Sequence, residues 1–319
     1  MASCAHFNIR AVHANHINTN PVSIPRLINV DLLDNSNPGF HHGSMTFLPR
    51  LIRTTLLLVL MHPAHAMAQK TEVDLQLILA VDVSRSMSPR ELEIQRRGYA
   101  EALVSNDVIN AIQGGLLGRV AIQYIEWAGD YSQRVIVDWT LVENRDQARS
   151  IADRLVAKFD DSLRRTSISS ALDYARFSFD TNGFTSSRRV IDISGDGPNN
   201  AGPPVLEARA RALEDGIVIN GLPLMTKDGF YSRYNLDDLD EYYRQCVIGG
   251  PASFVIPVLD WEQFPTAVRH KLVQELAGLP SSPVVRAAFH SKPAPSYDCL
   301  IGEKMWQQRR RSLDWGDDL

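Results

Sequence analysis

Five oxygen-bearing residues stand out by type and spacing. Asp82-Val83-Ser84-Arg85-Ser86 sets one carboxylate and two hydroxyls on alternate positions, and Thr166 and Asp196 follow downstream. Brought together, they would offer two carboxylates and three hydroxyls, a donor set made wholly of hard oxygen with little net charge. Such a set suits Mg2+ or Mn2+ held with several waters, and it leaves room for a ligand from outside. A short polar triplet before a helix also serves as plain capping chemistry. The metal reading therefore depends on whether the chain delivers all five residues to one place.

The elements that must do this are legible in outline. Val73 to Val83 holds the near-continuous apolar run Leu75, Leu77, Ile78, Leu79, Ala80, Val81, as expected of a strand covered on both faces. Asp82 then stands at its carboxyl end, where open α/β sheets bind ligands. A helix should open at Ser88-Pro89-Arg90-Glu91, with Ser88 as cap, Pro89 in the first turn and Glu91 closing a capping box, and run toward Ile112. Strands over Arg119–Trp127 and Arg134–Leu141 are joined by only a few residues around Gly129-Asp130, which permits a hairpin and no crossover, so the second is an antiparallel edge strand. Helices follow over Arg145–Phe159 and Ser167–Phe179, then a strand Arg189–Ser194, a helix Pro204–Asp215, a strand Ile217–Leu224, a sixth strand Ser253–Val258 and a last helix Trp261–Ala277. The pattern predicts an α/β fold: a doubly wound, mainly parallel six-stranded sheet with one antiparallel edge strand. Thr166 precedes a helix and Asp196 follows a strand, so both fall at the rim that carries Asp82, Ser84 and Ser86. Asp192, inside the fourth strand, is expected to be a buried, hydrogen-bonded carboxylate. The Tyr-rich insertion Lys227–Cys246 reads as partly packed surface, and residues 279–319, rich in Pro and Ser, as an irregular tail.

Composition limits the function classes. The chain has 319 residues and a formal net charge of −4. Its first 68 residues hold seven of the nine His and four basic against two acidic residues, so the remainder is the more acidic part. Nonspecific nucleic-acid binding, which needs clustered positive charge, is disfavoured. Arg309–Arg311 reads as part of a solvated tail. Residues 45–68 read as an export signal: Arg50 and Arg53 precede the apolar run Thr54–Met61, and small residues follow at Ala64, Ala66 and Ala68. The run is too short to span a bilayer, so no transmembrane span is expected in the mature chain. Residues 1–44 read as a possible over-extension upstream of Met45. After cleavage near Ala66 or Ala68 the protein would be periplasmic or secreted, and Cys246 and Cys299 alone remain, either as one disulfide or as two buried thiols. No Cys/His cluster of the zinc type is present.

Asp82-x-Ser84-x-Ser86 with Thr166 and Asp196 resembles the metal-ion-dependent adhesion site (MIDAS) of von Willebrand factor A domains, over residues 73 to about 278. The run Ile191–Asn200 is similar to an exported proteobacterial branch of that superfamily. The resemblance implies that Ser84, Ser86 and Thr166 contact a divalent cation directly or through water, and that Asp82 and Asp196 hold it largely through waters. It implies a binding module at residues 69–278 that captures an Asp or Glu of a partner protein. Many family members place small residues, often Gly-Gly, before the threonine; here stand Arg164-Arg165, which would either weaken metal affinity or point outward toward an acidic partner. The alternatives are a metal-dependent hydrolase and a scaffold whose metal site has decayed. Against the first, the chain has no G-x-S-x-G elbow, no phosphate-binding P-loop and no His near the rim motifs.

Overall fold

A computed structural model describes residues 70–157, 163–226, 236–278 and 297–314. The segments read as over-extension (1–44) and export signal (45–68), the first part of the Tyr-rich insertion (227–235) and most of the linker after residue 278 lie outside the described residues. A short parallel pair, β1 (Thr71–Glu72) with β5 (Phe184–Thr185), precedes the main sheet at its entry. The main sheet has five strands in the order β4 (Gln133–Val142), β3 (Val120–Trp127), β2 (Leu75–Asp82), β6 (Arg189–Gly195), β7 (Ile217–Pro223). β2 pairs in parallel with β3 on one side and β6 on the other, and only the β3–β4 hairpin is antiparallel. Every residue of β2 and β3 is buried, whereas β4 alternates toward solvent as an edge strand does.

Pleating sends alternate β2 residues into two layers. Leu75, Leu77, Leu79 and Val81 face α1 (Pro89–Leu103), α2 (Asn106–Gln113), α3 (Arg145–Ala157) and α7 (Phe264–Ala277). Ile78 and Ala80 face α4 (Ile168–Asp180), α5 (Val205–Glu214) and α6 (Leu239–Tyr242). This is the doubly wound, mainly parallel architecture that the sequence predicts. Because the chain leaves β2 toward β3 and returns on its far side at β6, the carboxyl end of β2 lies at a topological switch point, where a crevice opens.

Three expectations need correction. The sixth strand is not a regular strand: Phe254, Ile256 and Val258 hydrogen-bond along β7, but Pro223 has no N–H to give the rung that would face Ile256 O, so only isolated bridges form. The helix expected from Ser88 toward Ile112 is two helices. Ser105 takes an extended conformation and caps α2, its Oγ accepting from Val108 N and donating to Ala102 O, which ends α1 at Leu103. The tail is not wholly irregular: it forms α8 (Ile301–Asp314), and a disulfide joins Cys299 to Cys246 with Cα atoms 5.5 Å apart. Among the described residues, no helix is long and apolar enough to cross a membrane.

Candidate metal centre

Four of the five expected residues form one hydrogen-bonded chain across the β2 and β6 ends. Ser84 N donates to Asp82 Oδ1 at 2.7 Å, Ser84 Oγ and Ser86 Oγ are 2.9 Å apart, and Ser86 Oγ donates to Asp196 Oδ1 at 2.8 Å. Gln95 of α1 donates to Asp82 O at 3.1 Å and fixes where the strand ends. Asp82 and Ser84 are buried, and Ser86 and Asp196 are partly open to solvent. The fifth residue, Thr166, lies on the adjoining loop. Leu163 N donates to Val83 O, which runs that loop alongside the Asp-x-Ser-x-Ser segment. Thr166 and Asn200 then bond reciprocally: Thr166 N donates to Asn200 Oδ1 at 3.1 Å, and Asn200 N to Thr166 O at 2.9 Å. The Thr166 hydroxyl itself makes no hydrogen bond among the described residues.

The donor set fits a hard cation. Asp82 Oδ2 is fully buried and has no hydrogen-bond partner among the described residues. Burial, and then the charge of Asp196, hold the Asp82 carboxyl well above the usual carboxylate range; burial and the nearby Glu91 push Asp196 up to about 6. No Lys, Arg or His among the described residues pairs with either carboxylate. A bound divalent ion is the arrangement that reverses such a shift, since metal ligands bind deprotonated. Among the described residues there is no cluster of three or more His, Cys, Asp or Glu, at the rim or elsewhere.

Arg165 stands where the resemblance places a small residue, and its conformation shows what a larger one requires there. Its backbone φ is 74°, the left-handed conformation that glycine adopts freely. For a non-glycine residue such a conformation costs about 1–3 kcal/mol. Its guanidinium lies 3.7 Å from the ring centroid of Trp306 in α8, a contact worth about 0.5–2 kcal/mol. Arg164 is exposed beside Arg85, the two residues following the bridged pair Ser84 and Leu163, and neither forms an ion pair among the described residues.

Several residues of this region went unremarked as functional in the sequence. Asn199 is buried and fully engaged. Its Oδ1 accepts from Ser169 N and Oγ, and its Nδ2 donates to Pro203 O and, at 2.7 Å, to Glu303 Oε1 of α8; its backbone N donates to Tyr242 Oη. The Pro198-Asn199-Asn200 run is a loop tie, because Asn side chains bond backbone groups of neighbouring loops. Tyr242 and Tyr243, expected as partly packed surface, are fully buried beneath the site. Tyr243 Oη has no partner among the described residues, and a Cβ on Gly195 would meet it and Asp82 Oδ2 at 3.0 Å each, so a side chain there would require both groups to give way.

Fold and rim together define a doubly wound, mainly parallel α/β domain with carboxylates and serine hydroxyls gathered at the carboxyl ends of β2 and β6. The chain belongs to the family described as "Protein of unknown function (DUF1194)", whose model matches residues 72–280. The sequence matches no curated protein. Among solved structures, it is similar to proximal thread matrix protein 1 of the mussel byssus at 15% identity over 66% of this chain and 49% of that one, with a TM-score of 0.47. It therefore spans about half the length of that relative. Another form of that mussel protein has zinc in its own MIDAS motif. The chain is also similar to a von Willebrand factor type A protein from Catenulispora acidiphila (16% identity, 64% and 43% covered, TM-score 0.44) and to an aerotolerance-related membrane protein from Bacteroides fragilis (20%, 64% and 100%, TM-score 0.41).

Proposed function

We propose that this protein is an exported, non-enzymatic binding module. In this reading Asp82, Ser84, Ser86, Thr166 and Asp196 hold Mg2+ or Mn2+ and present it to an acidic residue of a partner protein. The observation that carries the reading is the pair of carboxylates at the β2 and β6 ends, linked through two serine hydroxyls and lacking any basic side chain among the described residues. A divalent cation supplies there a hard, positive centre to which an Asp or Glu carboxylate of the partner adds. The serine and threonine hydroxyls donate no charge, so an anionic oxygen from outside gains most. Exposed Arg85 and Arg164 flank the rim and favour an acidic segment around the captured residue. Arg165 is occupied by Trp306 and not by the carboxylates, which speaks against a site decayed by its own arginines. The export signal in residues 45–68 and the similarity of Ile191–Asn200 to an exported proteobacterial branch complete the proposal.

The test is calorimetric titration of the purified protein with Mn2+ and Mg2+, followed by capture of partners from the native organism in Mg2+ and in EDTA. Binding in the micromolar to millimolar range that Asp82→Asn removes, and partners retained only with Mg2+, are expected. Equal titration by wild type and variant, or capture undiminished in EDTA, would overturn the reading.

A further inference from the structure

We propose that the C-terminal helix α8, which lies beyond the family-matched residues 72–280, is a working part of the metal centre: it positions the loops that carry Thr166 and Asp196. The inference rests on the metal-site reading above. Three contacts converge on those loops. Glu303 accepts from the Asn199 side chain at 2.7 Å, three residues after Asp196. Gly302 lies against the Asn199 carbonyl so closely that any side chain there would collide with it. Trp306, one turn further along α8, lies under the Arg165 guanidinium, adjacent to Thr166.

The start of α8 is fixed independently of these contacts. Cys299 is bonded to Cys246, and the ring of Tyr297 packs edge-on against Tyr242, whose hydroxyl accepts from Asn199 N at 3.1 Å. Asn199 is thus gripped from two sides, by α8 and by the helical turn that carries Cys246. Because Asn200 ties directly to Thr166, holding Asn199 and Arg165 holds both loops in one arrangement. The placement also answers a local question. Arg165 adopts a backbone conformation suited to glycine, and Trp306 gives that conformation a reason to persist. Glu303 and Trp306 are therefore positioning residues, acting on the site through Asn199 and Arg165.

The coupling makes the proposal separable from a general packing role. Trp306→Ala should weaken Mn2+ binding about tenfold, the lower end for residues that orient metal ligands. It should also speed hydrogen exchange at the Thr166 and Ser167 amides in the metal-free, disulfide-intact protein. Arg165→Gly removes the need for the brace, so Trp306→Ala made in that background should change neither reading. Glu303→Gln, which retains an oxygen to accept from Asn199, should behave as wild type, and Glu303→Leu should not. Wild-type exchange and affinity in Trp306→Ala, or effects equally large with and without Arg165, would overturn the proposal. If the wild type binds no Mn2+, the metal reading fails, and the exchange measurements decide by themselves whether α8 holds the loops.

Discussion

The protein holds two pairs of carboxylates, one in its core and one at its rim, and they are resolved in opposite ways. In the core, Asp192 of β6 and Glu275 of α7 share Lys271, whose Nζ lies 2.7 Å from one and 2.5 Å from the other. Asn220 also donates to Glu275. At the rim, Asp82 and Asp196 have serine hydroxyls and backbone N–H groups around them and pair with no basic residue among the described residues. Moving ions out of water costs several kcal/mol each, so buried carboxylates persist only with compensating charge or by holding a proton. The core pair brings its cation in the sequence. In the function proposed above the rim pair takes its cation from solution, which would be the difference between an element of the fold and a binding site.

Removing the internal cation should produce the largest effect. Lys271→Met leaves Asp192 and Glu275 facing each other in the core, and a loss of about 3–5 kcal/mol in urea unfolding at neutral pH is expected. A loss below about 1 kcal/mol would show that Lys271 does not hold this pair together. The rim should respond in the other sense. Asp82→Asn keeps an oxygen to accept from Ser84 N while removing one of the repelling charges, so stability in EDTA should not fall. Metal affinity should drop about a hundredfold or more, roughly 2.7 kcal/mol. If the variant is destabilised in EDTA as Lys271→Met is, the rim carboxylates are structural and the contrast between the two pairs collapses.

The core pair should also set a pH dependence. Burial, and then the charge of Glu275, raise the Asp192 carboxyl from 3.8 to about 7, with Lys271 opposing. A group whose folded value lies above its unfolded one binds a proton more readily in the folded protein. Its contribution to stability is therefore greatest below about pH 4 and is lost as pH rises toward 7, by up to about 1.4 kcal/mol per pH unit. Comparing urea unfolding of wild type and Asp192→Asn between pH 5 and pH 8 isolates this contribution. The wild type should lose ground to the variant as pH rises; parallel profiles would mean that Asp192 is charged throughout.

How much of this was legible before the structure differs between the two pairs. The rim was readable because its residues are local signals at strand ends: Asp82-x-Ser84-x-Ser86 follows an apolar run, and Asp196 follows another. Asp192 was readable as a buried carboxylate from its strand context. Its partner was not, because Lys271 and Glu275 sit on α7 with a spacing that reads equally well as a solvated helix face. The break at Ser105 was missed because Ser in a helical stretch caps or continues it with little local difference. The rung lost at Pro223 depends on which strand lies beside it, and that is long-range information. The docking of α8 was hidden for the same reason. Its contacts are single residues, Gly302, Glu303 and Trp306, whose meaning appears only against Asn199 and Arg165.

The smallest effect should come from Tyr243→Phe, and it sharpens the comparison most. Tyr243 Oη is fully buried and, like Asp82 Oδ2, has no hydrogen-bond partner among the described residues; the missing side chain of Gly195 leaves a point 3.0 Å from both. Burial, and then the charge of Asp82, hold the Tyr243 hydroxyl well above its ordinary value, so it stays protonated and can only donate toward that carboxylate. In the metal-bound state proposed above, an ionised Asp82 offers this hydroxyl an anion to donate to; without metal, the hydroxyl is an uncompensated polar group. Deleting it should leave stability in EDTA unchanged or slightly raised, because an unsatisfied buried hydroxyl costs about 1–3 kcal/mol where it finds no partner. Mn2+ affinity should fall by at most about tenfold, roughly 1.4 kcal/mol, since one oxygen of one ligand is affected. Titration and urea unfolding on the same preparation separate the two roles. Lower stability with unchanged affinity would make Tyr243 a packing residue and leave Asp82 to be oriented by Ser84 alone.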